Sequence, residues 1–280
     1  MTKHSLSFDE LGDRMKHYEN LGASGMRLLS LAPIVARIDG RSFHNFTKGL
    51  NRPFDEDFSN AMIDTTKHLV NHTGATIGYA QSDEISLTWC QESYKSEVWF
   101  DGRVAKMTSQ LAAQATLVFY QYVVDLLPLE YAERFPTFDA RVWNVPNRDE
   151  AANYFVWREL DATKNSVSMA AHHYFSHKFL QGKNTSTKRE LLLSEKGIRW
   201  EDYPTHFKRG TYVQRSKKLT KFSDSEIEKL PKKHEARFNA DLMVERSIVD
   251  VVEIPPITKV SNRVDVIFYG AKPELFDSQK

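Results

Sequence analysis

A chain of 280 residues, 41% apolar and 12% aromatic, has material for one large core or two modest ones, which excludes a disordered or low-complexity polypeptide. Its 38 Lys and Arg nearly cancel its 37 Asp and Glu, so no global field draws in a polyanion and any nucleic-acid surface must be a local patch. The single cysteine, Cys90, excludes an intrachain disulfide and a cysteine-rich zinc site, and its place after an apolar run reads as simple packing.

No apolar run approaches the ~20 residues of a membrane span, and MTKHSLSFDE lacks a signal peptide's apolar centre, so a soluble, cytoplasmic protein is expected. Residues 7–30 carry Phe8, Leu11, Met15 and Tyr18 at helical spacing before Gly22 and Gly25 interrupt. Residues 32–39 read as a strand of branched side chains closed by Gly40. After the loop Asn51-Arg52-Pro53, Asp55 caps a helix with Phe58, Ala61, Met62, Thr65 and Leu69 on its inner face. Two short apolar runs, 76–80 and 85–89, flank Gln81-Ser82-Asp83-Glu84 in a hairpin pattern.

A long helix follows over 103–127 and Pro128 stops it; residues 138–145 form another strand, ended by Pro146. Residues 148–180 are helical with a possible break at Asn165-Ser166, and a shorter helix opens at Thr187 and ends at Gly197. HFKRGTYVQRSKKLTK is basic and partly extended. The tail VVEIPPITKVSNRVDVIFYG reads as a strand, a Pro-Pro break and a last strand or turn. Mixed elements around an antiparallel hairpin predict an α+β protein rather than a doubly wound parallel sheet. The expected division is 1–146 and 147–280, with no flexible linker at the boundary.

Asp39 ends one strand and Asp83-Glu84 lie at the bend of the hairpin. Each alone is an ordinary polar turn. If the hairpin pairs beside the first strand, the three carboxylates converge, and a crowded cluster of that kind persists most easily around a divalent cation. Magnesium suits all-oxygen ligands shared with substrate phosphates, and two ions would activate an attacking oxygen and stabilise a leaving pyrophosphate. Gly40 would let the backbone approach a metal or phosphate. Arg41, His44 and Arg52, grouped after Asp39, point to a triphosphate.

The segments ARIDGRSFHNF and GYAQSDEISLTW resemble the two signature segments of the tRNA-His guanylyltransferase family and its tRNA-repair relatives, which add nucleotides in the 3′–5′ direction. The resemblance continues through Arg103-Val104-Ala105-Lys106-Met107, FDARVWNVP, YFVWRELDATKNS and HFKRGTYV, covering roughly residues 30 to 215. It implies a polymerase-palm-like antiparallel sheet with flanking helices and a C-terminal extension, residues 147–280 completing the catalytic unit begun by 1–146. It implies two Mg²⁺ ions on Asp39 and Asp83 with the Gly40 carbonyl, and Glu84 beside them as a third catalytic acid. Arg41, Ser42, Phe43 and His44 would line the nucleotide, Ser82 would touch its phosphates, and Lys106 and Arg52 would reach the triphosphate. ATP and GTP would be substrates, tRNA the acceptor, and the assembly a homotetramer.

One motif departs. Where the guanylyltransferases proper carry a His-Ile-Asn-Asn type segment, Trp157-Arg158 is followed here by ELDATKNS, with Thr163 at the histidine position and only Asn165 kept from the asparagine pair. That erosion resembles bacterial-type members that repair 5′-truncated tRNAs on a template; the alternative is strict addition of G to tRNA-His. His172-His173 read as a partly exposed structural pair, since adjacent helical residues point apart.

For RNA contact the candidates are Arg158, Lys164, Asn165, Lys208 and Arg209. Arg215, Lys217, Lys218 and Lys221 between Tyr212 and Phe222 would neutralise phosphates while the aromatics stack on bases, or would simply form a solvated loop. Lys188 and Arg189 read as helix surface. Another palm-type nucleotidyl transferase or cyclase, and an RNA-binding protein without catalysis, are the competing functions; the intact acids argue against the last.

Overall fold

The structure is a computed structural model that describes residues 12–16, 18, 25–93, 96, 98–239 and 241–276. Phe8, Leu11 and Gly22 lie outside them; residues 12–16 are helical, but Met15 is exposed. The six strands are β1 (Ile34–Gly40), β2 (Ile77–Gln81), β3 (Glu84–Trp89), β4 (Phe138–Asn144), β5 (Thr211–Lys221) and β6 (Met243–Val252). The long helices are α1 (Glu56–Thr73), α2 (Val104–Leu126), α3 (Arg148–Tyr174) and α4 (Thr185–Lys196), and α5 (Arg263–Tyr269) is shorter. The strands form one sheet in the order β4-β1-β3-β2-β5-β6, antiparallel throughout. This is the expected α+β architecture, and strands from both sides of residue 146 share the sheet.

The first four strands with α1 and α2 follow the β-α-β-β-α-β ferredoxin-like order. Because β3 lies between them and antiparallel to both, β1 and β2 run the same way. The end of β1 therefore sits beside the β2–β3 turn. Side-chain caps start α1 and α3: Asp55 Oδ1 accepts from Phe58 N at 3.0 Å, and Asn147 Oδ1 accepts from Glu150 N at 2.9 Å. No break occurs at Asn165-Ser166, and α3 runs on to Tyr174.

Period-2 alternation gives the sheet two covered faces. On one, Ile34, Ala36, Ile38, Ile85 and Leu87 pack beneath α1 and α2. On the other, Val35, Ile77, Tyr79 and Tyr212 pack against Ala151, Tyr154 and Phe155 of α3 and Ile267 of α5. The second half of α3 leaves the sheet and packs Val167, Ala170 and Ala171 against Leu192 and Trp200.

Two expectations fail in the C-terminal part. RVDVIFY, expected as a strand or turn, is α5, whose buried Val266 and Ile267 give their carbonyls to the buried Gln214 side-chain amide at 2.7 and 3.0 Å. Tertiary burial of that face overrides its branched-residue β-propensity. Tyr212, expected to stack on bases, is only 3% exposed inside the core.

Candidate active site

The topology delivers Asp39 and Asp83 to one place. Gly40 N donates to Asp83 O at 2.9 Å, tying the end of β1 to the two-residue turn between Gln81 and Glu84. Two serines beside the acids hold left-handed backbone, Ser42 at φ 56° and Ser82 at φ 47°. Such non-glycine conformations cost of order 1–3 kcal/mol each and persist where surrounding structure imposes them. Asp39, Ser82 and Asp83 line a cleft of about 710 Å³ whose other walls are Arg52 and Pro53 on one side and α3 on the other. A hollow of about 230 Å³ adjoins it, lined by His44, Asn51, Phe54 and Phe58 and sharing Arg52, Ser82 and Asp83.

Gly40 has a steric reason beyond the one expected for it. A Cβ there would lie 2.5 Å from the Phe43 ring. Phe43, expected to line the nucleotide, is 2% exposed and meets Phe46, Phe119 and Phe138 at centroid distances of 5.0, 5.5 and 5.0 Å. It thus supports the floor of the hollow from the core, while Arg41, Ser42 and His44 are exposed. A Gly40→Ala variant is expected to lose roughly 1–3 kcal/mol through overpacking, read as a lower urea midpoint at unchanged m-value. An unchanged midpoint would show that the ring yields.

Glu84 departs from its expected role. Its carboxylate is buried and takes Arg158 Nε at 2.6 Å and Nη2 at 2.8 Å, with Arg37 Nε at 3.6 Å from Oε2. Burial raises its pKa and the Arg158 charge pulls it down. Glu84 anchors α3 to the sheet, so the free acids are Asp39 and Asp83. The same pair removes Arg158 from the RNA surface, since its side chain is 5% exposed and also bonds Asp161 at 3.1 Å. Arg209 is likewise turned inward, to Glu159 Oε1 at 3.3 Å and the Ile254 carbonyl at 3.4 Å, where Glu159 also receives the Tyr212 hydroxyl at 3.1 Å.

The helix face over the cleft carries Arg158, Asp161, Asn165, Ser168, Met169, His172 and, beside it, His173. Asn165, expected at the RNA, faces the same space as Asp83, whereas Thr163 is half-buried and does not line it. The two histidines, expected as a partly exposed structural pair, are exposed and line the cleft. The signal was present as a polar stripe at spacings of three and four. Lys188, read as helix surface, donates its ammonium to Ser168 Oγ at 2.7 Å at the cleft edge.

Lys106 lies outside the cleft. It is exposed in the first turn of α2, which begins where Val104 N bonds Met26 O at 3.0 Å, ahead of β1. Phe119, the α2 residue level with Phe43, lies ~20 Å further along the helix at 1.5 Å per residue. Lys164 is exposed, and Lys208 donates to the Glu201 carbonyl.

The basic segment after them is not a bare strip. Arg215 bonds the last-turn carbonyls of α1, Val70 at 2.7 Å and Asn71 at 3.0 Å. On the β5–β6 ribbon Lys217, Lys218 and Lys221 face Glu245, Asp250 and Asp241 at 2.6, 3.8 and 2.5 Å. The solvated reading prevails there.

Neighbouring acids have arginine partners, Glu84 at 2.6 Å and Asp139 at 3.8 Å, but Asp39 and Asp83 enter no ion pair among the described residues. Burial, and then the Asp39 charge, push the Asp83 pKa up, against hydrogen bonds from its own backbone and Ser82. No three acid, histidine or cysteine side chains converge as a ready-made cage among the described residues. Two carboxylates without an ion-pair partner among the described residues, with open space before them, fit a hard divalent cation that completes its shell with substrate oxygens.

An antiparallel α+β sheet that ends in two free carboxylates, with a basic loop and a polar helix around the cleft, defines a nucleotidyl-transfer type of protein. The tRNAHis guanylyltransferase (Thg1) family model matches residues 12–146. A bacterial tRNA(His) guanylyltransferase (Thg1)-like protein in complex with ATP superposes with a TM-score of 0.73 at 36% identity, covering 92% of this chain and 99% of that one. A bacterial Thg1-like protein in complex with GTP gives a TM-score of 0.66 at 33% identity, over 90% and 95%. A probable tRNA(His) guanylyltransferase of Drosophila melanogaster is 30% identical over 66% of this chain and 67% of its own length. The chain belongs to the tRNAHis guanylyltransferase family, nucleotidyltransferases that act on tRNA. No helix among the described residues is long and apolar enough to cross a membrane.

Proposed function

We propose that this protein adds nucleotides to tRNA 5′ ends in the 3′–5′ direction and that its task is template-directed repair of truncated ends. The observation that carries the reading is the meeting of Asp39 and Asp83 at the floor of the large cleft. Those two carboxylates, with the Gly40 carbonyl, would hold Mg²⁺, which supplies neutralisation of triphosphate charge when bound. Arg52 lines both hollows and would fix phosphate oxygens, and Ser82 lines them beside Asp83. His44 lines the smaller hollow, where a nucleotide would rest, and Arg41 is exposed close by in the chain.

ATP and GTP are the proposed substrates, supported by the bacterial relatives' complexes with these two nucleotides. The 5′ end is activated with one of them. The 3′-hydroxyl of the incoming nucleotide then attacks, and pyrophosphate is removed where needed. The protein contributes position and charge stabilisation. The altered ELDATKNS segment is what favours repair over strict tRNA-His specificity in this reading. We further propose a cytoplasmic homotetramer, on family resemblance.

The test is an extension assay on full-length and 5′-truncated tRNAs, varying the base opposite the growing end. Addition that follows Watson–Crick pairing is expected. Addition of G alone, to tRNA-His alone, would instead establish the strict guanylyltransferase.

A further inference from the structure

At the far end of the α3 wall, beyond the Arg158–Glu84 and Arg158–Asp161 pairs, the basic groups have no acid partner among the described residues. His172 and His173 occupy the last turn of α3 and line the same cleft as Asp39, Asp83 and Arg52. The His172 ring lies against His177, on the one-turn helix His177–Leu180, with centroids 5.5 Å apart and planes 23° apart. Lys188 reaches in from α4 to Ser168, one turn before His172.

Across the cleft stand Arg52, Asp39 and Asp83, and on α3 itself the nearest acid is Asp161, ~16 Å up the helix and already bound to Arg158. The His172 and His177 imidazoles and the Lys188 ammonium thus crowd together, and His173 lines the cleft beside them. Burial, then Lys188 and His177, push the His172 pKa below its ordinary value, and no carboxylate opposes them. An imidazole that burial and neighbouring cations hold neutral, as they do His172, is one that an anion would recharge.

We propose that His172, His173 and Lys188 form a phosphate subsite at the mouth of the catalytic cleft, one that takes up a proton as a substrate phosphate binds. The inference rests on the nucleotidyl-transfer reading of the cleft. It assigns to this wall the charge that the ribbon lysines, each facing an acid, do not provide. The phosphate belongs either to the nucleotide or to the RNA, whose chemistry at this subsite is the same. Because the free imidazole titrates low and the bound one high, affinity rises as pH falls through the interval between those two values.

Calorimetry of the full chain at pH 7, in buffers of different ionisation heat, counts the protons. The ligands are GTP with magnesium, a 5′-phosphorylated tRNA and the same tRNA with a 5′-hydroxyl. Uptake of about one proton is expected with GTP or with RNA. Uptake with GTP places the nucleotide's tail at the subsite, uptake only with the 5′-phosphorylated RNA places the 5′ phosphate there, and equal uptake by both RNAs places an internal one.

A His172→Gln/His173→Gln variant is expected to lose the uptake and bind that ligand roughly tenfold more weakly. A His172→Lys variant restores affinity without pH dependence. No uptake with any ligand, uptake retained in the glutamine variant, or a lysine that binds no better than glutamine overturns the subsite. Extension that fails while proton-linked binding persists overturns the functional reading instead and leaves the subsite standing.

Discussion

Replacing Asp83 by asparagine is expected to abolish nucleotide addition and, in cation-free buffer, to stabilise the fold. Losing one of two carboxylates that would hold the cation removes several kcal/mol of transition-state stabilisation, a fall of roughly 10³-fold or more in rate. The stability change has the opposite sign because the Asp83 carboxyl is pushed up by burial and by Asp39. A carboxyl whose pKa is higher folded than unfolded favours the fold when protonated, and that contribution is lost as pH rises through the folded value. Near neutrality the ionised Asp83 therefore costs stability, and asparagine removes the cost.

The thermal midpoint of the variant should exceed that of the parent at pH 7, and the gap should close as pH falls into the ordinary carboxylate range. Added magnesium should raise the midpoint of the parent and leave the variant unmoved. A variant that is less stable at every pH, or one that responds to magnesium like the parent, would refute the carboxylate assignment.

The second large effect is expected at the buried Glu84–Arg158 pair. Arg158→Met leaves a carboxylate in the interior beside Asp39, and breaking such a pair typically costs 3–5 kcal/mol. For a chain of this size that is about 10 °C in midpoint. Without Arg158, burial and the Asp39 charge hold the Glu84 pKa high against Arg37 alone, so the loss should be largest at neutral pH and shrink in acid as the carboxyl protonates. Glu84→Gln combined with Arg158→Met should recover most of the stability, because neither charge is then left unpaired. Chemical denaturation of the two single variants and the double one measures this directly. Equal losses in single and double variants would mean that the bonds at 2.6 and 2.8 Å contribute nothing specific. Activity should fall in Arg158→Met as well, since α3 carries Asp161, Asn165 and His172 over the cleft.

These effects divide along the same line as what could be read from the sequence. Strand β1 with Asp39 and Gly40 at its end, the hairpin around Ser82-Asp83, and the α1 cap at Asp55 were all legible, because alternation, turn chemistry and capping are local properties. Most of the corrections concern partners far along the chain. Glu84 and Arg158 are 74 residues apart, and nothing near either says that they meet. Lys106 is separated from Phe119, the α2 residue level with Phe43, by ~20 Å of helix, a distance that motif order does not carry. Arg209 and Tyr212 looked like RNA contacts by residue type, yet Glu159 of α3 draws both inward. His172 and His173 were set aside because adjacent helical side chains diverge, but a cleft wide enough receives both.

By itself, then, the sequence determined the elements, the carboxylate-bearing strand and hairpin, and the family. Only the tertiary structure decided which of two adjacent acids is free. Asp83 sits in the turn and opens onto the cleft, while Glu84, one residue on, is already in β3 opposite Asp39 and beneath α3. A strand places side chains by register, and register is set by pairing with distant chain. That pairing gives Glu84 to Arg158 and leaves Asp39 and Asp83 to the substrate.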